Sequence, residues 1–233
     1  MGMTTIPRNV THLLLYQSIQ LITMEIILIR HAQSKGNETN TVQGQTDEGL
    51  SDLGKKQAKQ LSEHFNIGDI CAIYSSDLGR ATETAEPLRD KLNLEIKTDP
   101  DLREAHFGIW EGLTYNGVKE KYSNEYSTWH KNYFIRPPWF ESFELHQKRV
   151  RKAIEMILMN HNLTDKVAVF THGGSIKTQV GYFKKLSGEE LTQFTTSNCS
   201  LTLLKFNPTQ KYENGKLIYY NKDVIRLAVQ KEL

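Results

Sequence analysis

Two histidines in this sequence follow short apolar runs rich in β-branched residues, at points where a strand would end and a ligand could bind. Residues 26–29 lead into Arg30 and His31, and residues 167–170 lead, one residue later, into His172. An imidazole can act as a nucleophile or as a general acid and base, and a guanidinium binds phosphate or carboxylate oxygens. These residue types together indicate chemistry on an anionic substrate.

A second arginine joins this group if the chain forms a parallel sheet. The apolar run 70–74 leads to Arg80 at the expected start of a helix. Ligands of open parallel sheets bind outside the carboxyl ends of the strands, beside helix N-termini such as those expected near Arg80 and Ser175. A single histidine at a strand end is more often structural. The convergence of two histidines and two arginines at one sheet edge instead predicts an anion-binding pocket.

The segments between these residues alternate between strand and helix patterns. A helix capped by Ser51 would carry an apolar face made of Leu53, Ala58, Leu61 and Phe65. A second helix over residues 80–91 would turn Ala81, Ala85 and Leu88 inward. Further helices are expected at 142–160 and 175–186, and further strands at 94–97, 201–206 and 217–221. Strands that alternate with helices indicate an α/β fold with βαβ crossovers.

Composition excludes several classes of protein. The chain has 233 residues, 29 Lys and Arg against 27 Asp and Glu, and 38% hydrophobic residues. Such a chain can bury a full core without disulfides or metals, and it is not collagen-like, disordered or membrane-spanning. Its balanced charge does not suit a protein that covers nucleic acid or an acidic membrane. Any specificity for anions must therefore be local.

The cysteines and the N-terminal segment carry weak signals. Cys71 and Cys199 are far apart and form no CxxC or Cys/His spacing, so we expect both to be reduced and the protein to be cytoplasmic. Residues 1–23 contain no apolar run long enough for a secretory signal, and the first convincing strand follows at Met24. We therefore expect residues 1–23 to be an extension outside the fold, and residues 24–233 to form one domain.

Five ordered sequence blocks resemble the histidine phosphatase superfamily, in its phosphoglycerate-mutase-like branch. The blocks lie at 28–37 (with Arg-His-Ala-Gln-Ser), 50–58, 75–85, 102–112 and 171–174 (Thr-His-Gly-Gly), within residues 24–207. Five blocks in order are much more specific than any one of them. The resemblance implies an α/β three-layer sandwich with a mostly parallel central sheet, helices on both faces and an inserted aromatic-rich lid at about residues 107–140.

The resemblance also implies a role for each residue of the predicted pocket. His31 would attack phosphorus and become a phosphohistidine before water releases phosphate. Arg30 and Arg80 should favour the neutral imidazole that this attack requires. Together with His172, the two arginines would hold the phosphoryl oxygens that carry the transition-state charge, and Asn37 would add a hydrogen bond.

The implied acid and base is Glu104, which would protonate the leaving oxygen and later activate water. The alternative is that Glu104 is a surface partner of Arg103, but the surrounding block favours catalysis. Gly173 would let the backbone approach the ligand closely. No cluster of side chains has metal-ligand spacing, and the implied mechanism needs no metal, so no cofactor is expected.

The sequence leaves the reaction outcome partly open. We favour a phosphomonoester hydrolase for small phosphorylated metabolites over a mutase, because the Glu104–His172 interval is short for mutases and residues 41–46 lack their Phe-Thr-Gly-Trp stretch. A cofactor-dependent phosphoglycerate mutase is the alternative, and a regulatory or binding module with little turnover is the alternative of another class. The lid aromatics would either stack on a bulky leaving group or pack beneath a loop. Nucleic-acid and membrane partners are not expected.

Overall fold

A six-stranded sheet forms the centre of the computed structural model, which describes residues 23–65, 68–207, 211–223 and 225. The strands are β1 (Met24–Arg30), β2 (Ile70–Ser75), β3 (Ile96–Thr98), β4 (Lys166–Thr171), β5 (Leu201–Phe206) and β6 (Lys216–Lys222). The predicted extension lies, except for Thr23, outside the described residues. The division into an extension and one domain stays a prediction.

The helices of the described residues connect and cover these strands. They are α1 (Lys35–Glu38), α2 (Asp52–His64), α3 (Gly79–Leu92), α4 (Tyr115–Lys121), α5 (Ser123–Lys131), α6 (Phe143–Met159), α7 (Gly173–Lys184) and α8 (Gly188–Thr192). Short 3₁₀ turns occur at Pro100–Leu102, Gly108–Trp110 and Tyr212–Asn214. In the part of the chain that the structure describes, no helix is both long enough and apolar enough to cross a membrane.

The sheet has the strand order β3-β2-β4-β1-β5-β6. The pairs β2/β3, β2/β4 and β1/β4 are parallel, whereas β5 is antiparallel to both β1 and β6. Only β5 therefore runs against the other described strands. Because β1, β2 and β4 are parallel neighbours, their carboxyl ends share one edge, as the sequence predicts.

Alternating side chains of the central strands pack against helices on opposite faces. One face carries Ile26, Leu28, Val167 and Val169 against α6 and α7. The other carries Ile27, Ile29, Ala168 and Phe170 against α2 and α3. Since both faces are buried, these strands read as continuous apolar runs. The α/β sandwich with a mostly parallel sheet and helices on both faces is confirmed.

The predicted inward face of α2 is wrong at Leu53, which is 49% exposed, whereas Ala58, Leu61 and Phe65 are buried. Leu53 lies five residues before Ala58, a rotation of about 140° around the helix axis. Gly54 takes the buried position instead. A Cβ on Gly54 would lie 1.9 Å from the Gln33 carbonyl oxygen, so glycine permits this close contact between α2 and the loop after β1.

The segment 107–140 is aromatic-rich as predicted, and it contains the two helices α4 and α5. Its rings form a cluster of their own around Trp110, which is 1% exposed and contacts Phe140 at a ring-centroid distance of 4.8 Å. Most of these aromatic side chains therefore pack against one another, as in the alternative in which they pack beneath a loop and do not stack on a leaving group. Phe107 and Tyr115 are exceptions, because they also line the cavity described below.

Several element boundaries differ from the sequence prediction. The third strand begins at Ile96, two residues later than expected, and the helix after the second histidine begins at Gly173, two residues earlier. The sequence patterns also missed α8, a single short helix with a capping box at Ser187 and Glu190. Short helices of this kind are stabilised by capping and packing and not by a periodic apolar face.

Candidate active site

The ends of β1 and β4 bring two histidines into contact. Arg30 and Thr171 are register partners, and the His31 amide continues the ladder by donating to the Thr171 carbonyl at 3.0 Å. His172 follows directly as the N-cap residue of α7. The His31 and His172 rings lie 5.2 Å apart between centroids, and both side chains are buried.

A small cavity of about 70 Å³ opens at this edge of the sheet. It is lined by five of the predicted residues, Arg30, His31, Asn37, Arg80 and Glu104, and by Thr41, Gln43, Gly44, Phe107 and Tyr115. His172 lies beside it against His31. The structure thus brings together residues that are up to 142 positions apart in the sequence, since 172 − 30 = 142.

A backbone contact sets the tautomer of His31. Its Nδ1 lies 2.7 Å from the Ala32 carbonyl oxygen, so Nδ1 carries the proton and donates, and Nε2 keeps the lone pair. Burial holds the pKa of His31 well below its ordinary value, and the positive charges of Arg80 and Arg30 lower it further. His31 is therefore neutral at neutral pH, with Nε2 as its basic nitrogen.

Several buried nitrogens around the cavity lack hydrogen-bond partners among the described residues. They are both ring nitrogens of His172 and the Nε atoms of Arg30 and Arg80. Buried polar groups are almost always hydrogen-bonded, so a group of orphaned nitrogens at one place indicates a bound oxygen-rich ligand. Burial, followed by the charge of Arg80, holds the pKa of His172 well below its ordinary value.

The loop before α2 fixes the Arg80 side chain. Arg80 is 1% exposed, and its Nη atoms donate to the carbonyls of Gly44 at 2.6 Å and Thr46 at 2.7 Å. Gly44 has a φ of +53°, and a Cβ there would lie 2.1 Å from an oxygen of Glu111. Glycine therefore lets the loop present its carbonyl to Arg80, whose Nε has no partner among the described residues and is available to a ligand.

The prediction that the N-termini of two helices help to bind the anion is wrong in part. The first amides of α3, those of Gly79 and Arg80, donate to the Asp47 carboxylate. In α7, the Gly174 amide donates to Glu104 Oε2 at 2.8 Å. Because acidic side chains already occupy these amides, the anion site depends on side-chain nitrogens.

Glu104 lies at the start of α7 and not in a surface ion pair. Its Oε1 accepts the Ala105 amide at 2.9 Å, and a Cβ on Gly174 would lie 2.2 Å from the same oxygen. Arg103 instead forms a two-point ion pair with Asp77, with Nε to Oδ1 at 2.7 Å. The alternative in which Glu104 is the partner of Arg103 is therefore wrong.

Asn37 and Gly173 occupy different places relative to the cavity. The Asn37 Oδ1 accepts from the Ser34 amide at 3.2 Å and the Asn198 amide group at 3.3 Å, so its Nδ2 is the donor that can reach a ligand. Gly173 does not line the cavity. A Cβ there would lie 3.5 Å from Arg30 Nε and 2.8 Å from Thr196 Oγ1, so this glycine makes room for the arginine.

The sequence matches the family model of the histidine phosphatase superfamily (branch 1) over residues 26–214. This chain belongs to that superfamily. It is 32% identical over 198 residues to a putative phosphoserine phosphatase 2 of Hydrogenobacter thermophilus, covering 84% of this chain and 95% of that protein. The family assignment and the nature of the chain as a histidine-type phosphatase are thus confirmed.

Two further comparisons agree with this assignment. A metal-independent phosphoserine phosphatase of Arabidopsis thaliana is 34% identical over 157 residues, covering 66% of each chain. The structure of a mycobacterial glucosyl-3-phosphoglycerate phosphatase in complex with VO3 superposes with a TM-score of 0.76 at 27% identity, covering 85% of this chain and 99% of that one. Both are phosphatases by name, and the phosphorylated compounds in these names are small.

One half-buried arginine holds the Glu104 segment of this histidine phosphatase in place. Arg149 donates to the carbonyls of Asp101, Arg103 and Glu104 at 3.0, 2.6 and 2.7 Å, and it pairs with both oxygens of Glu141 at 2.7 and 2.8 Å. The planar fork of arginine is what allows these simultaneous contacts. Sequence reasoning missed Arg149, because its partners are 8 to 48 positions away.

We expect Arg149→Met to destabilise the protein by about 2–4 kcal/mol, because Glu141 loses its charged partner and three carbonyls each lose a hydrogen bond from the guanidinium. Turnover should also fall, since the Glu104 backbone loses its support. Denaturant unfolding and phosphatase assays measure the two effects. Arg151→Met on the same helix is the matched control, because Arg151 is more exposed and should cost less than about 1 kcal/mol. Equal losses in both variants would contradict this prediction.

His146 is a second residue that sequence reasoning missed. Its Nε2 donates to Ser175 Oγ at 2.9 Å, and Ser175 Oγ donates to the Arg103 carbonyl at 2.8 Å. The same Nε2 lies 3.8 Å from Glu104 Oε1. His146 falls on the buried face of α6 between Phe143 and Val150, so helical periodicity alone could have marked it as a buried polar residue.

Proposed function

We propose that this histidine phosphatase hydrolyses phosphomonoesters of small metabolites through a phosphohistidine at His31, without a metal. The observation that carries the proposal is the neutral His31, with its Nε2 lone pair, beside the unpartnered nitrogens of Arg30, Arg80 and His172. This arrangement supplies a nucleophile and donors for phosphoryl oxygens in one buried place. Glu104 lines the same cavity and supplies a carboxyl group.

In the first step, His31 Nε2 attacks phosphorus and the bond from phosphorus to the ester oxygen breaks. Glu104, in its protonated form, gives its proton to the leaving oxygen. Charge on the three equatorial oxygens is stabilised by Arg30, Arg80 and His172, which are held in place before the substrate arrives. The products of this step are a free alcohol and phosphorylated His31.

In the second step, the Glu104 carboxylate takes a proton from water as the water oxygen attacks phosphorus. The phosphorus–nitrogen bond breaks, and His31 recovers its neutral form as phosphate leaves. The two backbone amides that hold the Glu104 oxygens keep the carboxylate fixed at the start of α7. One carboxyl group thus serves as acid and then as base.

Glu104→Gln tests this division of roles. With p-nitrophenyl phosphate, whose leaving group needs little protonation, we expect His31 still to become phosphorylated while the loss of the base slows hydrolysis. A phosphoprotein that is stable in base and labile in acid should therefore accumulate to nearly one phosphoryl group per chain, detected by quenched labelling or mass spectrometry.

The double variant His31→Ala/Glu104→Gln is the control, and it should carry no label. Label that persists in the double variant would place the nucleophile elsewhere and overturn the proposal. Absence of label in Glu104→Gln, with turnover as fast as in the wild type, would remove Glu104 from the mechanism.

A separate assay distinguishes hydrolysis from a mutase reaction, in which the phosphoryl group on His31 would be transferred back to the sugar acid. The chain is given 3-phosphoglycerate with a catalytic amount of 2,3-bisphosphoglycerate, and both 2-phosphoglycerate and free phosphate are followed. We expect phosphate release to exceed isomerisation. Efficient formation of 2-phosphoglycerate would instead show a mutase that uses the same pocket.

A further inference from the structure

Three side chains with metal-binding atoms meet at the amino ends of β2 and β4. The phosphatase cavity lies at the other end of these strands, where their carboxyl ends are. Cys71 is the second residue of β2, and His161 and Asp165 lie in the turn between α6 and β4. The register of β2 with β4 shifts between Ile70 and Ala72, and Cys71 in this irregularity is exposed. One ligand atom of each of the three side chains lies within 4.8 Å of the others.

The measured separations are close to those around a tetrahedral zinc ion. Zn–S of about 2.3 Å and Zn–N and Zn–O of about 2.0–2.1 Å place sulfur about 3.6 Å from nitrogen, and nitrogen about 3.3 Å from oxygen. Cys71 Sγ lies 3.7 Å from His161 Nδ1. His161 Nδ1 lies 3.1 Å from Asp165 Oδ2. An ion could therefore be held with small side-chain adjustments.

Neighbouring groups orient two of these ligands. Tyr74 Oη lies 3.1 Å from His161 Nε2, so a proton on Nε2 can be donated to the tyrosine hydroxyl while Nδ1 turns its lone pair toward Cys71 and Asp165. Asp165 Oδ2 also accepts the Asn162 amide at 2.9 Å. Such hydrogen bonds behind the ligands are typical of metal sites, because they set the tautomer and the ring orientation.

The same three residues are poorly arranged for nucleophilic catalysis. Cys71 Sγ and Asp165 Oδ2 both contact the same nitrogen of His161, so the imidazole cannot relay a proton between them. Coordination of a cation is the chemistry that suits a thiol, an imidazole and a carboxylate at these distances.

We propose that Cys71, His161 and Asp165 bind one zinc ion, with water at the fourth position. Binding replaces the thiol proton of Cys71, which is released to solvent, and uses neutral His161 and ionised Asp165. The ion would tie the start of β2 to the turn before β4, and so link Cys71 to a histidine 90 positions away in the sequence. Because the site is at the opposite edge of the sheet, it would stabilise the fold without entering the phosphatase reaction.

Cobalt titration of the metal-free full chain tests the site, because Co²⁺ substitutes for zinc and reports a thiolate ligand by charge-transfer absorption. We expect this absorption to saturate at one equivalent and to disappear when zinc is added. Zinc should also raise the melting temperature. Cys71→Ser should abolish the absorption, and His161→Gln and Asp165→Asn should each weaken binding by at least about tenfold.

Two further variants show whether the site is specific. Tyr74→Phe keeps all three ligands but removes the hydroxyl, and we expect about 10–100-fold weaker binding. Cys199→Ser changes the other, buried cysteine and should leave binding intact. Three outcomes would overturn the proposal. The wild type binds no cobalt saturably, or Cys199→Ser loses the charge-transfer absorption. The third outcome is that this absorption is unchanged in both His161→Gln and Asp165→Asn. Phosphatase turnover is measured in parallel, and its presence or absence leaves these metal-binding outcomes unaffected.

Discussion

Replacement of His31 by alanine is expected to lower kcat/KM for p-nitrophenyl phosphate by more than about 10⁴-fold, with EDTA present throughout. The variant removes the only atom proposed to bond to phosphorus, and water held in the same cavity is a much weaker nucleophile. A loss of this size corresponds to about 5.5 kcal/mol of transition-state stabilisation. Steady-state kinetics of the two proteins measure it directly.

His106→Ala is the matched control for this experiment. His106 lies two residues from Glu104, but its side chain is exposed, and its Nε2 lies 3.9 Å from Glu111 Oε1. We expect this variant to keep nearly the full rate. If the wild type turned over no faster than His31→Ala, the chain would be a binding or regulatory module, and the catalytic interpretation would fail.

A steep loss of stability in mild acid is the second large effect that we expect. His31, His146 and His172 are all fully or almost fully buried, and burial is the main reason that the pKa of each is well below its ordinary value. Nearby arginines add to this effect. The folded protein therefore keeps three neutral imidazoles at a pH where an unfolded chain would have protonated them.

The sign follows from proton binding. Above the ordinary histidine pKa neither state binds these protons, so the contribution to stability is fully present. As the pH falls below that value, the unfolded state takes up to three more protons than the folded state, and stability falls with it. The loss continues until the pH reaches the lowered pKa values of the folded protein. Its slope approaches about 4 kcal/mol per pH unit, at about 1.4 kcal/mol for each proton.

Denaturant unfolding at a series of pH values between about 8 and 5 measures this slope. His172→Asn and His146→Gln each remove one of the three protons, so each variant should lose about a third of the slope. His106→Gln removes a histidine that is exposed in the folded protein and serves as the control. A slope that is the same in His172→Asn, His146→Gln and the wild type would contradict the assignment of the acid sensitivity to buried imidazoles.

The main elements of this fold could be predicted from the sequence because their signals are local. Strands that are buried on both faces, such as β1 and β4, are continuous apolar runs in the sequence. Helix α6 repeats apolar residues at helical spacing. Local signals failed where packing decided the outcome. Leu53 is apolar but exposed, since Gly54 is the residue that allows α2 to contact the Gln33 carbonyl.

The composition of the cavity was also largely predictable, whereas its chemistry was not. Arg30 and His31 follow one strand and His172 follows its neighbour, so the rule for parallel sheets places them together. The tautomer of His31, however, depends on a 2.7 Å contact with the Ala32 carbonyl. The support of Glu104 depends on Arg149, 45 positions away. Neither contact leaves a periodic or compositional trace in the sequence.

Most of the helices and strands, the family and the residue types at the carboxyl ends of the strands could be predicted from local features, because apolar periodicity and strand ends are local properties. The pairing of each polar group depends on contacts between distant segments. Asp47 and Glu104 take the helix amides that the sequence assigned to the anion, and Cys71 meets His161 and Asp165 across the opposite edge. The physical reason is that hydrogen bonds and ligand distances are set to within tenths of an ångström by packing between segments far apart in the chain.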